Sequence, residues 1–333
     1  LPPEPAMPTT LAVVIPIYNE QDNLPELSRR LTAALDRVEH AAWQVIYVDD
    51  ASRDDSARII LGQHEQDPRF TLVQLSRNFG QHPALSAGLA HANADAVITM
   101  DGDLQDPPEV IPDLVACWRD GGQVVLAVRR SRPERGLRRL GFEAFHKLFD
   151  WLSDVRMPSH TGIFGLLDRQ AVRELNNLVE KNRYVPGLRG WIGFDQRTVY
   201  YDRQDRASGA PTQSFSGLIR LALDGIFSFS YKPLRLMTFA GVCTSAAGGL
   251  LAAGYVVRRL IGVEQAPMGF TTLVTLILFL GGVQLIAIGL LGEYLGRIYD
   301  EVKQRPLYIV KRRIGAGMPA PVADPPERRS TPG

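Results

Sequence analysis

The 333 residues are enough for one large domain with added elements, or for two domains. The composition, 45% hydrophobic and 22% charged, is that of an ordinary folded protein, and a net charge of +1 gives no overall bias towards nucleic acid. Two cysteines, Cys117 and Cys243, provide neither a disulfide framework nor zinc-ligand spacing, and fit a reducing, cytoplasmic setting.

The opening LPPEPAMPTT (1–10) is proline-rich and reads as a disordered lead-in rather than a signal sequence. LAVVIPIY (11–18) is a short apolar strand. DNLPELSRRLTAALDRV (22–38) places Leu24, Leu27, Leu31, Ala34, Leu35 and Val38 at helical spacing, with a proline early, where a helix tolerates it. WQVIYVDD (43–50) is a strand, and RDDSARIILGQHE a helix with acids in its first turn. FTLVQLS (70–76), DAVITMD (95–101) and QVVLAVRR (123–130) are strands, separated by the helices HPALSAGLAHA and PEVIPDLVACWRD. Continuous apolar strands in this βαβα order predict an α/β fold with a mostly parallel sheet covered on both faces.

Ligands of such sheets bind beyond the carboxyl ends of the strands. The first strand runs into Pro16-Ile17-Tyr18-Asn19-Glu20, without the glycines of a dinucleotide-binding turn. Asp49 and Asp50 end the second strand, and Asp101 and Asp103 the fourth, so all three stretches are expected at one edge. Asp101-Gly102-Asp103 offers two carboxylates and Gln105 an amide oxygen, the ligands a hard divalent cation takes when it bridges a diphosphate. The same residues also make ordinary turns. Asp106, before Pro107-Pro108, reads as the start of the next helix.

The C-terminal third changes character. Leu236–Val257 and Met268–Leu291 carry no charge, and each is long enough for the hydrocarbon core of about 30 Å. They predict a transmembrane hairpin (231–300). Lys232 and Arg235 precede the first span; Arg297, Lys303, Arg305, Lys311, Arg312 and Arg313 follow the second; Arg258 and Arg259 in the loop argue the other way. The balance puts both termini in the cytoplasm and the soluble domain (11–230) on the cytoplasmic face of a multi-pass membrane protein. Segments 136–155 and 216–230 read as amphipathic helices in the membrane surface. Residues 301–333 form a tail, disordered after about 314.

VVIPIYNEQDNL, YVDDASRDDS, LSRNFGQHPALSAGL and DGDLQDPPEVIP together resemble the family-2 inverting glycosyltransferases of GT-A, Rossmann-like fold. RLALDGIFSFSYKPLRL, the two spans and LLGEYLGRIYDEVKQRPLYIV narrow the resemblance to the polyprenyl-phosphate glycosyltransferases, in the bactoprenol glucosyltransferase branch related to dolichyl-phosphate mannose synthases. The resemblance implies transfer of a hexosyl group, glucose from UDP-glucose, to undecaprenyl phosphate with Mg²⁺ or Mn²⁺. It implies that Pro16, Tyr18, Glu20 and Asp50 line the nucleotide pocket, and that Asp101, Asp103 and Gln105 hold the metal and donor diphosphate. Arg206 would lie near that diphosphate. Arg129 and Arg130 would hold the acceptor phosphate, with Arg138 and Arg139 as further candidates. A bilayer and a homo-oligomer are the other partners expected; nucleic acid is not.

The chain departs from the family pattern in two places. Relatives often read Asp-x-Gly-Asp-Phe-x-Leu where this chain has His160 and Ile163 at the acidic positions, which makes His160 a candidate acceptor contact. After Arg206, Gly209-Ala-Pro-Thr212-Gln213 lacks the family's lysine. Both departures leave other donors open: GDP-mannose, a UDP-amino sugar or a UDP-aminoarabinose type. A processive polysaccharide synthase would need more spans and a Gln-x-x-Arg-Trp motif, whereas GLRGWIGFD (187–195) has the tryptophan without that pattern. A non-catalytic membrane scaffold is the remaining alternative, and intact Asp50, Asp101 and Asp103 weigh against it.

Overall fold

The computed structural model describes residues 9–130, 161–181, 183–202, 232–261 and 269–315. Alternation of strand and helix begins at β1 (Thr9–Ile17), so the first strand starts within the expected lead-in. Helix α1 (Leu24–Leu35), β2 (Ala41–Asp49), α2 (Ser56–Gln66), β3 (Phe70–Leu75) and α3 (Gln81–His91) follow as the apolar periodicity predicts. Next come β4 (Ala96–Thr99), a 3₁₀ turn (Pro108–Val110), α4 (Ile111–Arg119) and β5 (Val124–Arg129).

The sequence assigned no elements to the chain from Thr161 to Tyr201, which contains β6 (Thr161–Asp168), α5 (Arg169–Asn177), α6 (Val185–Trp191) and β7 (Gln196–Tyr201). Two long helices come next, α7 (Lys232–Leu260) and α8 (Phe270–Val302), then β8 (Val310–Ile314). The interfacial segments 136–155 and 216–230, with Arg138, Arg139, His160 and Arg206, lie outside the described residues.

The eight strands form one sheet, in the order β7-β5-β6-β4-β1-β2-β3-β8. Pairing is parallel for β1 with β2, β1 with β4, β2 with β3 and β5 with β7. It is antiparallel where β6 enters between β4 and β5, and where β8 caps β3. The sheet is thus mostly parallel, as expected, with two reversed strands that the sequence did not disclose. The tail contributes β8: Val73 pairs with Arg313 and Leu72 with Ile314.

The core explains the order. Leu24, Leu27, Leu31 and Leu35 of α1 and Ile60 of α2 bury against Leu11, Val13 and Ile15 of β1. On the other face α3 lies so close that a Cβ on Gly88 would fall 2.2 Å from a Val14 methyl. One polar bridge crosses the α1 face, where Ser28 Oγ meets Tyr47 Oη at 2.7 Å. Leu31 is fully buried, so Leu31→Ala is expected to cost about 2–5 kcal/mol of unfolding free energy, measured by chemical denaturation.

The helices α7 and α8 belong to a second compact unit, while the chain from Pro306 onward rejoins the first. They display large apolar side chains outward, among them Phe239, Leu250, Leu276, Phe279 and Leu285. Among the described residues, Phe279–Val302 is long and apolar enough to cross a membrane, overlapping the second expected span and running past it. The first expected span falls inside α7. Cys117 on α4 and Cys243 on α7 are free thiols.

Candidate active site

The sheet reverses its winding at β1, which has β2 on one side and β4 on the other. This is the switch point at which open α/β sheets form a crevice. Register brings the strand ends level: Ile17 is opposite Asp49, and Val14 opposite Thr99. Each loop leaving β1, β2 and β4 contains one non-glycine residue in the left-handed region, Asn19 (φ 58°), Ala51 (φ 58°) and Leu104 (φ 62°). Such residues cost of order 1–3 kcal/mol each and persist where surrounding contacts hold them.

The loops after β1 and β2 are stitched together. Asn19 N–H donates to Ser52 Oγ (3.0 Å) and Arg53 N–H to Asn19 Oδ1 (2.8 Å). Glu20 N–H donates to Ser56 Oγ (3.0 Å), and Gln21 N–H to Asp54 Oδ2 (3.2 Å). Pro16 is buried in β1, while Tyr18 is 40% exposed at the loop's rim. The Glu20 carboxylate accepts from the Asn23 side chain at 2.6 Å.

Asp50 is buried at the end of β2, and its two oxygens accept from Phe79 N–H (2.7 Å) and Gly80 N–H (2.8 Å). It thereby fixes the loop between β3 and α3. Burial pushes its carboxyl up, while those two bonds oppose the shift. The same loop delivers Gln81, whose side-chain amide donates to Asp101 Oδ1.

Asp101 begins the loop after β4. Glycine at 102 is required by proximity, since a Cβ there would lie 3.0 Å from an Ile17 methyl of β1. Leu104 turns its side chain into the core and so anchors the loop from inside. Asp103 accepts from Gln105 N–H at 3.2 Å. Burial first, then the carboxylates of Asp106 and Asp103, push Asp101 up to about 7. The Gln81 amide and Arg129 pull the other way.

Asp106 does not start the helix, contrary to the sequence expectation. Pro107 occupies the cap position of the 3₁₀ turn, and Asp106 turns inward to 1% exposure. There Tyr201 Oη donates to it at 2.5 Å, and Arg129 Nη2 approaches to 3.6 Å. Arg129 Nε also donates to Tyr201 Oη at 3.1 Å. The pairing of β5 with β7 sets Tyr201 opposite Arg129, which is how the contact arises. The two arginines expected to act together are separated. Arg130 is 65% exposed and pairs at 3.6 Å with Asp202.

The structure therefore gathers Asp101, Asp103, Gln105 and Arg129, and adds Gln81, Asp106 and Tyr201. Of the additions, Asp106 had a signal, a third acid in the same loop. Gln81 had one too, its place in the motif LSRNFGQHPALSAGL, whereas Tyr201 had none, because its contacts depend on strand order. Among the described residues no three His, Cys, Asp or Glu side chains form a ready-made metal cage. A cation that bridges a diphosphate needs only one or two carboxylates. A carboxyl pushed up to about 7 beside two others is a donor set that fits such a cation.

Residues 12–175 match the family described as Glycosyl transferase family 2, and residues 232–298 match the GtrB C-terminal hairpin. A Synechocystis glycosyltransferase of uncharacterised activity is 41% identical over 91% of this chain and 95% of its own. A prophage-derived bactoprenol glucosyl transferase of Shigella flexneri is 39% identical over 91% of this chain and 97% of its own. A mannosyltransferase of Pyrobaculum calidifontis, solved with GDP-Man and Mn²⁺, is 17% identical, covers 86% of this chain and 89% of its own, and gives a TM-score of 0.44. On the strength of the full-length likeness, the chain belongs to glycosyl transferase family 2.

Proposed function

We propose that this glycosyltransferase moves a glucosyl group from UDP-glucose to a polyprenyl phosphate, with inversion, at the cytoplasmic face of a membrane. The observation that carries this reading is the likeness to bactoprenol glucosyl transferases over 91% of the chain, hairpin included. The outward apolar faces of α7 and α8 suit a bilayer.

The chemistry asks little of the protein beyond positioning and charge. A lipid monophosphate with a second pKa of about 6 is largely ionised at neutral pH, so its oxygen needs no strong general base. That oxygen attacks the anomeric carbon as the bond to the nucleotide diphosphate breaks, and the electron pair leaves on the diphosphate oxygen. One displacement inverts the centre. In this reading Pro16, Tyr18, Glu20 and Asp50 bound the nucleotide pocket. Asp101, Asp103 and Gln105 would hold Mg²⁺ or Mn²⁺, which when bound offsets charge on the leaving diphosphate. Arg129, braced by Tyr201 and Asp106, would hold the acceptor phosphate and reduce its repulsion from the donor.

Membranes containing the protein, given undecaprenyl phosphate and a panel of sugar nucleotides, test the reading. Mass spectrometry is expected to find a lipid-phosphate-hexose with UDP-glucose. A product with another donor alone would reassign the sugar, and no product with any donor would overturn the reading.

A further inference from the structure

Arg189 of α6 has no evident reason to be buried. It is 2% exposed, yet among the described residues no carboxylate pairs with it. A guanidinium placed this way is expensive unless its bonds do something an apolar side chain could not. Its bonds go to two successive carbonyls: Nη1 donates to Ile163 O at 3.1 Å, and Nη2 donates to Gly162 O. Nε has no partner. Burial pushes the group down to about 10, still charged at neutral pH.

Those two carbonyls belong to the first residues of β6, where the sheet is irregular. Against β5 the register shifts between Leu126 and Val128, and against β4 the pairing stops at Thr99 with Gly165. Irregularities of this kind leave backbone groups without a ladder partner and are common beside active sites. Arg189 and Thr99 replace the missing ladder, since Thr99 Oγ1 also donates to Ile163 O. Room for the guanidinium comes from Gly165, where a Cβ would lie 3.2 Å from Arg189 Nη1 and 2.6 Å from Val125 O. The pinned backbone lies next to Arg129, because a Cβ on Gly162 would be 3.5 Å from Arg129 Nη2. Thr99 itself ends the strand that leads to Asp101.

We propose that Arg189 is a positioning residue for the acceptor phosphate, which it serves by holding the Gly162–Ile163 backbone beside Arg129. The inference rests on the glycosyl-transfer reading. Ile163 is itself apolar and buried, so at this position the strand acts on the acceptor side through its backbone. A fixed cation behind the strand does by backbone geometry what a side-chain contact would otherwise do.

The test uses the full-length protein in lipid nanodiscs with UDP-glucose and undecaprenyl phosphate, comparing wild type with Arg189→Lys, Arg189→Met and Thr99→Val. Acceptor and donor are titrated separately, and melting temperature and UDP binding are followed alongside. Arg189→Met is expected to lose up to about 10²-fold in kcat/KM for the acceptor, the scale of a misplacement of about 1 Å. Its KM for UDP-glucose and its UDP affinity should stay as in wild type, and Arg189→Lys should recover part of the loss. Thr99→Val releases the same carbonyl without touching the buried charge, so it should move the acceptor parameters in the same direction. If Arg189→Met does not fold, the lysine and valine variants decide alone. Donor and acceptor parameters falling together with the folded fraction, or acceptor parameters that do not move, would overturn the proposal. A wild-type protein that makes no lipid-linked sugar would instead overturn the glycosyl-transfer reading, and this inference with it.

Discussion

In Asp103→Ala, turnover is expected to fall by about 10³-fold or more, the scale of losing a principal charge-stabilising contact at a leaving group, while folding is retained. The loop explains why folding should survive. Its anchors include Leu104 in the core, Gly102 against β1 and the inward-facing Asp106, and all three remain when the Asp103 carboxylate, which accepts from Gln105 N–H, is removed. Mn²⁺ with UDP should raise the melting temperature of wild type and leave that of the variant unchanged. Asp101 adds a pH dependence. Burial and its carboxylate neighbours push it up to about 7 from the ordinary 3.8, so its neutral form contributes stability that is complete below about 4. That contribution is lost as pH rises through about 7. Without a cation the protein loses stability across this window, and a bound cation offsets the repulsion once the carboxyl ionises. The stabilisation by Mn²⁺ should therefore be larger at pH 8 than at pH 6, as read by thermal unfolding. An unchanged turnover in Asp103→Ala would remove the carboxylate pair from the mechanism.

The second large effect is expected at Arg129. Arg129→Ala should lower kcat/KM for the polyprenyl phosphate by about 10²–10³-fold, the range seen when one donor to a developing or approaching anion is removed. Arg129→Lys should recover only part of this, because a lysine cannot both meet Tyr201 and present a planar fork to phosphate. Tyr201→Phe should give a smaller loss of the same kind, since Arg129 keeps its charge and only its brace is gone. Steady-state kinetics with the acceptor varied at saturating donor would check all three. Arg130→Ala is the internal comparison. Its side chain points to Asp202 at the exposed end of the strand, and a loss equal to that of Arg129→Ala would refute the separation of the two arginines.

The regular half of the fold was legible because its elements are apolar at fixed periods. LAVVIPI, WQVIYVD and FTLVQL are buried along nearly their whole lengths, and Leu24, Leu27, Leu31 and Leu35 recur on one face of their helix. Three strands were not legible, each for its own reason. TGIFGLLD is interrupted by two glycines whose purpose is close packing with Arg189 and Arg129. QRTVYY is an edge strand whose side chains are mostly not buried, so it carries no apolar run. VKRRI is three-fifths basic and becomes a strand only because β3 presents an open edge to it. The site divides in the same way. Asp50, Asp101 and Asp103 were readable because they follow apolar strands directly. Gln81 and Tyr201 act on residues 20 and 72 positions away, Asp101 and Arg129, and only the strand order brings them there. Asp106 was misread because an acid before two prolines has the composition of a helix start, whereas the buried Tyr201 hydroxyl draws it inward.

The place of β8 also bears on how the protein is made. The edge of β3 that it covers, at Leu72 to Leu75, waits for residues synthesised after both long helices. A nascent chain must therefore commit the hairpin before its sheet is complete, with a row of unpaired β3 amides and carbonyls exposed in the meantime. Chains cut before α7 to obtain a soluble enzyme would keep that edge open permanently, and their fate should be self-association rather than catalysis. Restoring VKRRI by a short linker in place of the helices is the direct remedy.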